Sequence, residues 1–245
     1  MQPNVLIGYS CDDVTRQAFA DAGCVAYTCD LLPSRGASQR WHIQDDIWNV
    51  VLSYRWNFAL LHPMCTFLTT SAAWAFKDGP YHQKVKPGTL VGLQRRAARW
   101  QAQLNFAKLL TLPFPVVVEN PATNFINKFL RGPDQIINPF EFGDDASKAT
   151  GLWRSPGVPA LIIDPKHYCK PRLVCDDCRS VFSYGKHRCP VCTSERYKPR
   201  WSNQTDSGQN RLTPSDDRWL DRSETYPGIA NALGTQYGHW LNNRG

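Results

Sequence analysis

Phe58-Ala59-Leu60-Leu61-His62-Pro63-Met64-Cys65-Thr66 and Val116-Val117-Val118-Glu119-Asn120-Pro121 decide the reading of this chain. Each begins as a short apolar run and ends in chemistry, a thiol in the first and a carboxylate in the second. Such runs are the pattern of parallel strands buried on both faces. In open α/β sheets, ligands bind in the crevice beyond the carboxyl ends of the strands. The two runs therefore predict that Cys65 and Glu119 face one pocket. That pairing suits attack by sulfur on a ring whose nitrogen is held by the acid.

Val5-Leu6-Ile7-Gly8 reads as a first strand. Asp12-Asp13 then opens a helix that runs to Ala22 and stops at Gly23. Cys24 to Cys29 is a second strand ending at Asp30, residues 31–45 read as loop, and a short helix covers Ile47 to Leu52. Residues 66–90 carry Gly79, Pro80, Pro87 and Gly88 and read as a long active-site loop. A helix follows over about 91–111. Leu93, Ala97, Trp100, Leu104 and Ala107 are spaced as its apolar face, and Arg95, Arg96 and Arg99 lie on the others. Those arginines read as a solvated face, with phosphate contact as the sharper alternative. Beyond Pro121 the chain reads as irregular to residue 150, with Ile136-Ile137 a short strand. Leu161-Ile162-Ile163 is the last core strand, and a closing helix spans Ile229 to Leu241. Alternating strands and helices predict an α/β fold with a doubly wound, Rossmann-like parallel sheet.

The chain of 245 residues has room for one sizeable core and a small appendage, which places a main unit over 1–164, a cysteine-rich unit over 165–200 and a returning segment over 201–245. No apolar stretch approaches the ~20 residues that span a membrane. The first residues lack the basic-then-apolar pattern of a signal peptide, so the expected location is the cytoplasm. A net charge of +7 favours a polyanionic partner, most simply nucleic acid.

Four of the nine cysteines form two CxxC pairs, Cys175-Asp176-Asp177-Cys178 and Cys189-Pro190-Val191-Cys192. Two such knuckles supply the four soft ligands of a tetrahedral zinc site with no open position, so the expected role is structural. A redox dithiol pair is the weaker reading. Basic and aromatic neighbours, among them Arg179, Tyr184, Lys186 and Arg188, make this zinc ribbon a candidate nucleic-acid contact surface.

Taken alone, Cys65 reads as a buried small residue and Glu119 as a surface or capping acid. Their order along the chain gives more. An acid after the second strand (Cys29-Asp30-Leu31-Leu32-Pro33), then His42-Ile43-Gln44-Asp45-Asp46, Pro63-Met64-Cys65-Thr66, Glu119-Asn120-Pro121 and Ser147 to Trp153 resemble the DNA cytosine carbon-5 methyltransferases, in particular the short phage-type members. Thr205 to Asn210 and Thr225 to Ala230 resemble the same group. The resemblance implies that Cys65 attacks carbon-6 of a flipped cytosine in duplex DNA, that Glu119 holds or protonates ring nitrogen-3, and that Asn120 fixes the loop and base. It implies S-adenosylmethionine as methyl donor, bound by Gly8, Tyr9, Asp30 (ribose hydroxyls) and Asp46 (adenine amino group). The zinc ribbon would sit where the family varies its target-recognition segment. For Asp30 and Asp46 the plain alternative is a solvated turn acid.

Three departures accompany the resemblance. The first turn, Gly8-Tyr9-Ser10-Cys11-Asp12-Asp13, has one glycine where the family is glycine-rich. Met64 stands where the family has a second proline before the cysteine. The family's arginine-rich supporting motif has no clear counterpart, and Lys148 is the nearest substitute. The readings that follow are a methyltransferase with a modified pocket, a relative transferring another one-carbon group to cytosine, and a non-catalytic zinc-ribbon protein that binds nucleic acid.

Overall fold

The expected strands and helices are laid out in a computed structural model that describes residues 1–36, 39–70, 72–82, 84–208, 210–212 and 224–244. Gln209 of the phage-like tail motif, and residues 213–223 and 245 of the returning segment, lie outside the described residues. The main sheet has seven strands: β1 (Asn4–Gly8), β2 (Val25–Asp30), β3 (His42–Gln44), β4 (Phe58–Leu61), β5 (Val116–Pro121), β6 (Gln135–Ile137) and β7 (Thr150–Arg154). Their order is β3-β2-β1-β4-β5-β7-β6. The first five are parallel, and β7 runs antiparallel to both β5 and β6. The fold is therefore α/β with a mostly parallel seven-stranded sheet. It is accompanied by a small antiparallel sheet of β8 (Arg172–Cys175), β9 (Val181–Phe182) and β10 (Tyr197–Arg200).

Alternating side chains divide the core between two faces, as strand geometry requires. Val5, Ile7, Ala26, Phe58, Leu60 and Val117 meet Phe19 of α1 (Val14–Asp21) and Leu233 and Tyr237 of α5 (Pro227–Asn242). Leu6, Ala59, Leu61, Val116 and Val118 meet Val50 and Val51 of α2 (Ile47–Ser53) and Phe106 and Leu109 of α3 (Gly92–Leu109). A one-turn helix, α4 (Ile126–Phe129), follows β5.

Four sequence expectations are corrected. His42-Ile43-Gln44, read as loop, forms the edge strand β3; three residues are too few to show a period. Thr150–Arg154, which begins at the end of the stretch read as irregular and for which the sequence predicts no strand, is β7, and it makes the sheet mixed instead of parallel. Leu161-Ile162-Ile163 forms no strand, because glutamine side chains take the place of a ladder. Gln135 bonds the N–H and C=O of Leu161, and Gln236 does the same for Ile162. The apolar face of α3 is also displaced: Leu93 and Trp100 are exposed, while Gly92, Arg95, Gln103, Phe106 and Leu109 are buried.

The tightest helix contact joins α1 and α5. Gly234 of α5 lies against the Ala18 backbone of α1, and Gly238 lies against Ala22, with no room for a Cβ at either glycine. Replacing Gly234 by valine would force the helices apart and is expected to cost about 1–3 kcal/mol, read as a lower urea midpoint at unchanged slope.

Candidate active site and four-cysteine cluster

The strand order changes direction between β1 and β4, which creates the topological switch point at which open α/β sheets bind ligands. β4 leads into Cys65, and β5, its parallel neighbour, carries Glu119 and Asn120 within the strand and not beyond it. The reason is β7. It pairs with Glu119 through Leu152 and with Asn120 through Gly151, and so prolongs β5 past the apolar run.

Side chains join the two segments. His62 Nδ1 lies 3.0 Å from Glu119 Oε2, and the two side chains are 15% and 19% exposed. Asn120, buried, donates from Nδ2 to the Pro63 carbonyl at 2.9 Å. Asn124 donates to Asn120 Oδ1 at 3.1 Å and accepts from the Ile126 amide. Two residues past Asn120's partner, the Cys65 carbonyl accepts from the amides of Leu68 and Thr69, which closes the cysteine into a turn. Phe125 N–H donates to Leu68 C=O, tying that turn to the segment after β5. Met64 is exposed beside the half-buried Cys65.

The three arginines of α3 turn toward this loop, Arg95 buried and Arg96 and Arg99 half-buried. Arg95 is buried. Its guanidinium donates to the carbonyls of Thr66 at 3.0 Å and Leu90 at 3.4 Å and lies over the Phe76 ring, and burial lowers its pKa. Arg96 donates to the Phe76 carbonyl and pairs with Asp78, and Arg99 stacks on Phe76 and Phe125. The loop folds back onto the helix and offers it carbonyls and rings, which helical spacing does not reveal. His62 and Asn124 are thus polar residues of this region to which the sequence assigned no site role, and Arg95 is one it assigned to solvent or phosphate. The one available signal was the recurrence of asparagine at 120 and 124.

Burial pushes the Glu119 carboxyl up, but the hydrogen bond and charge of His62, with the charge of Lys148, outweigh it and hold its pKa below the ordinary value. The charge of Lys148 is the smaller of these two influences on Glu119. A depressed carboxyl contributes stability that is present above its unfolded pKa, about 4.3, and is lost as pH falls through the folded value. Urea unfolding is accordingly expected to show stability declining as pH drops below the ordinary glutamate range, with a shallower decline in E119Q.

Gly8, Tyr9, Asp30 and Asp46 lie along the neighbouring ends of β1, β2 and β3. A Cβ on Gly8 would meet Leu61 and Ile47, so this glycine serves β1–β4–α2 packing. Tyr9 takes φ 58°, the left-handed conformation that glycine ordinarily supplies, and its hydroxyl accepts from Asn105 of α3. Asp30 accepts from the Leu32 amide, and Asp46 caps α2 through the Trp48 amide. Each acid thus has a local structural role and retains acceptor capacity, since a carboxylate offers about four lone-pair sites.

Cys175, Cys178, Cys189 and Cys192 come together with all four sulfurs within 4.8 Å of one another. The 175–192 and 178–189 separations are both 3.5 Å. Tetrahedral zinc with bonds of about 2.3 Å sets sulfurs about 3.8 Å apart, so the four could bind a structural metal such as zinc. The knuckles are built alike. Cys175 N–H bonds Ser180 C=O, Cys189 N–H bonds Ser194 C=O, and the residue after each second cysteine, Arg179 or Thr193, has φ near +60°. Only Leu173, Phe182 and Tyr197 join Cys175 and Cys189 in the ribbon's core. So small a core would gain most of its stability from a metal bound by the four sulfurs. Purified protein is expected to carry one zinc per chain by elemental analysis, and C189S to lose it together with the ribbon's amide protection.

Residues 165–200 hold nine Lys and Arg against three Asp and Glu, a net +6 of the chain's +7. Arg172, Arg188, Arg196 and Lys198 pair with acids at the surface, where such pairs leave the overall field intact. Among the described residues, no helix is long and apolar enough to cross a membrane. No known family model matches the chain, and no curated protein is similar enough to serve as a relative.

Proposed function

We propose that the protein is a cytosine carbon-5 modifying enzyme acting on DNA, most simply a methyltransferase on the Rossmann-like scaffold of that family. The observation that carries the reading is the Asn120–Pro63 hydrogen bond, which fixes the Cys65 turn against the strand bearing Glu119. A nucleophile and a nitrogen-binding acid held on adjacent strand ends beside a switch point are the elements the reaction needs. Sulfur of Cys65 bonds to carbon-6 of the base while Glu119 engages nitrogen-3, and carbon-5 gains the electron density of an enamine. S-adenosylmethionine, when bound, supplies an electrophilic methyl group. Loss of the carbon-5 proton and departure of the Cys65 sulfur with its bonding electrons then restore the ring. Asp30 and Asp46 would hold the cofactor's hydroxyl and amino groups, and the left-handed turn at Tyr9 supports a backbone shaped for it despite the missing glycines. The positive ribbon supports a nucleic-acid partner, and a base within a duplex must be flipped to reach Cys65.

One observation favours a second reading, a zinc-ribbon nucleic-acid-binding protein without cofactor chemistry. Asp30 and Asp46 each already serve a turn or cap of their own. Calorimetry with S-adenosylmethionine separates the two.

DNA from cells expressing the protein is expected to contain a modified cytosine by nucleoside mass spectrometry, and C65S to reduce it to background. Modification that survives C65S would remove the covalent mechanism. Folded wild-type protein that binds DNA and cofactor yet leaves cytosine unmodified would remove the methyltransferase.

A further inference from the structure

The proposed chemistry leaves one member of the buried cluster without a role. His62 lies between two fixed points: its amide donates to the Gly8 carbonyl at 3.0 Å, and the carbonyl of the next residue, Pro63, is held by Asn120. Its Nδ1 is 3.0 Å from Glu119 Oε2. Its Nε2 is buried and meets no hydrogen-bond partner among the described residues. The ring's polar contact within the protein is therefore with Glu119. The charged groups that act on Glu119 are His62, on the segment after β4, and Lys148, on the segment before β7.

This arrangement poses a proton problem. Addition of sulfur at carbon-6 drives electron density onto ring nitrogen-3, which needs a proton, and an ionised carboxylate only accepts. Burial alone would have favoured the protonated acid, but the neighbouring cations reverse that preference. A proton donor hydrogen-bonded to the carboxylate resolves the conflict, and histidine is the side chain whose charge changes near neutral pH.

We propose that His62 is the positioning residue and proton partner of Glu119, so that the two side chains act as one unit holding a single transferable proton. The proposal rests on the cytosine reading for its substrate, but not for the pairing itself. As the Cys65–C6 bond forms, the proton leaves Nδ1 for the Glu119 carboxyl and the carboxyl gives a proton to N3, leaving neutral imidazole beside a carboxylate. After methyl transfer the C5 proton is lost to solvent, its bonding electrons form the C5–C6 double bond, and the C6–S electrons leave with Cys65. N3 then returns its proton to the pair. His62 touches no substrate atom in this scheme and acts through Glu119.

The test has two arms. The chain has only four glutamates, so carbon-13 labelling of the glutamate carboxyls gives four resonances, and E119Q assigns the one at 119. In H62N, whose amide donates from near the Nδ1 position but carries no proton to transfer, Glu119 is expected to titrate at higher pH than in wild type. An unchanged titration overturns the pairing. H62Q replaces H62N should the latter not fold. In the second arm, trapping of Cys65 on duplex DNA containing 5-fluorocytosine, with S-adenosylmethionine, is followed in single turnover between about pH 5 and 8. H62N is expected to slow trapping by about 100-fold and to lose one ionisation from the pH profile while binding the duplex as before. A wild-type rate and profile in H62N overturns the proton transfer. Absence of trapping in wild-type protein retires the cytosine reading, and the carboxyl titration still decides whether His62 governs Glu119.

Discussion

The buried bond from Asn120 Nδ2 to the Pro63 carbonyl is the constraint on which the candidate site depends. Strand pairing brings β4 and β5 side by side, but it ends at Leu61 opposite Val118, four residues short of Cys65. Beyond that point nothing in a parallel ladder dictates where the chain goes. The side-chain amide of Asn120 continues the alignment, and Asn124 in turn orients that amide. A buried amide left without a partner would cost about 1–3 kcal/mol, so the contact resists being opened. On the other side of the turn, the Arg95 guanidinium grips the Thr66 carbonyl. Cys65 is held between an asparagine from the sheet and an arginine from α3.

Much of this fold can be read from hydrophobic pattern alone. β1, β4 and the first half of β5 are continuous apolar runs, the signal of a buried parallel strand, and β2 is mostly apolar. What escaped was structure held by few residues or by side chains. β3 is three residues long. β7, Thr-Gly-Leu-Trp-Arg, hides a fully buried Trp153 in a run without alternation, because both of its faces are covered. The 161–163 segment has the apolarity of a strand, but glutamines meet its backbone where a neighbouring strand would have. The true inner face of α3 contains arginine and glutamine, residues that a hydrophobic period counts as outward.

The site was legible to a similar degree and for a related reason. Cys65, Glu119 and Asn120 stand at the ends of legible strands, so their placement follows from the sheet. The four zinc-ligand candidates are legible because local spacing alone brings each CxxC pair together. His62 is different. Its importance lies in a partner 57 residues away, and no local rule connects a histidine at one strand end with a glutamate in the next strand. The same holds for Arg95, whose partner loop folds back from 29 residues earlier.

Among the described residues, the ribbon is attached to the main sheet at a single place. The chain enters it where the Cys169 amide bonds the Phe140 carbonyl, and leaves it where Trp201 stacks on the Phe140 ring and Ser202 bonds Asp145. Entry and exit thus share one short anchor, residues 140–147, which is itself fixed to α5 by the Gly228 amide donating to Asp144. A module whose two ends meet at a single anchor behaves like a cartridge in a socket. Its length and charge can change while the seven-stranded sheet, Cys65 and Glu119 keep their positions.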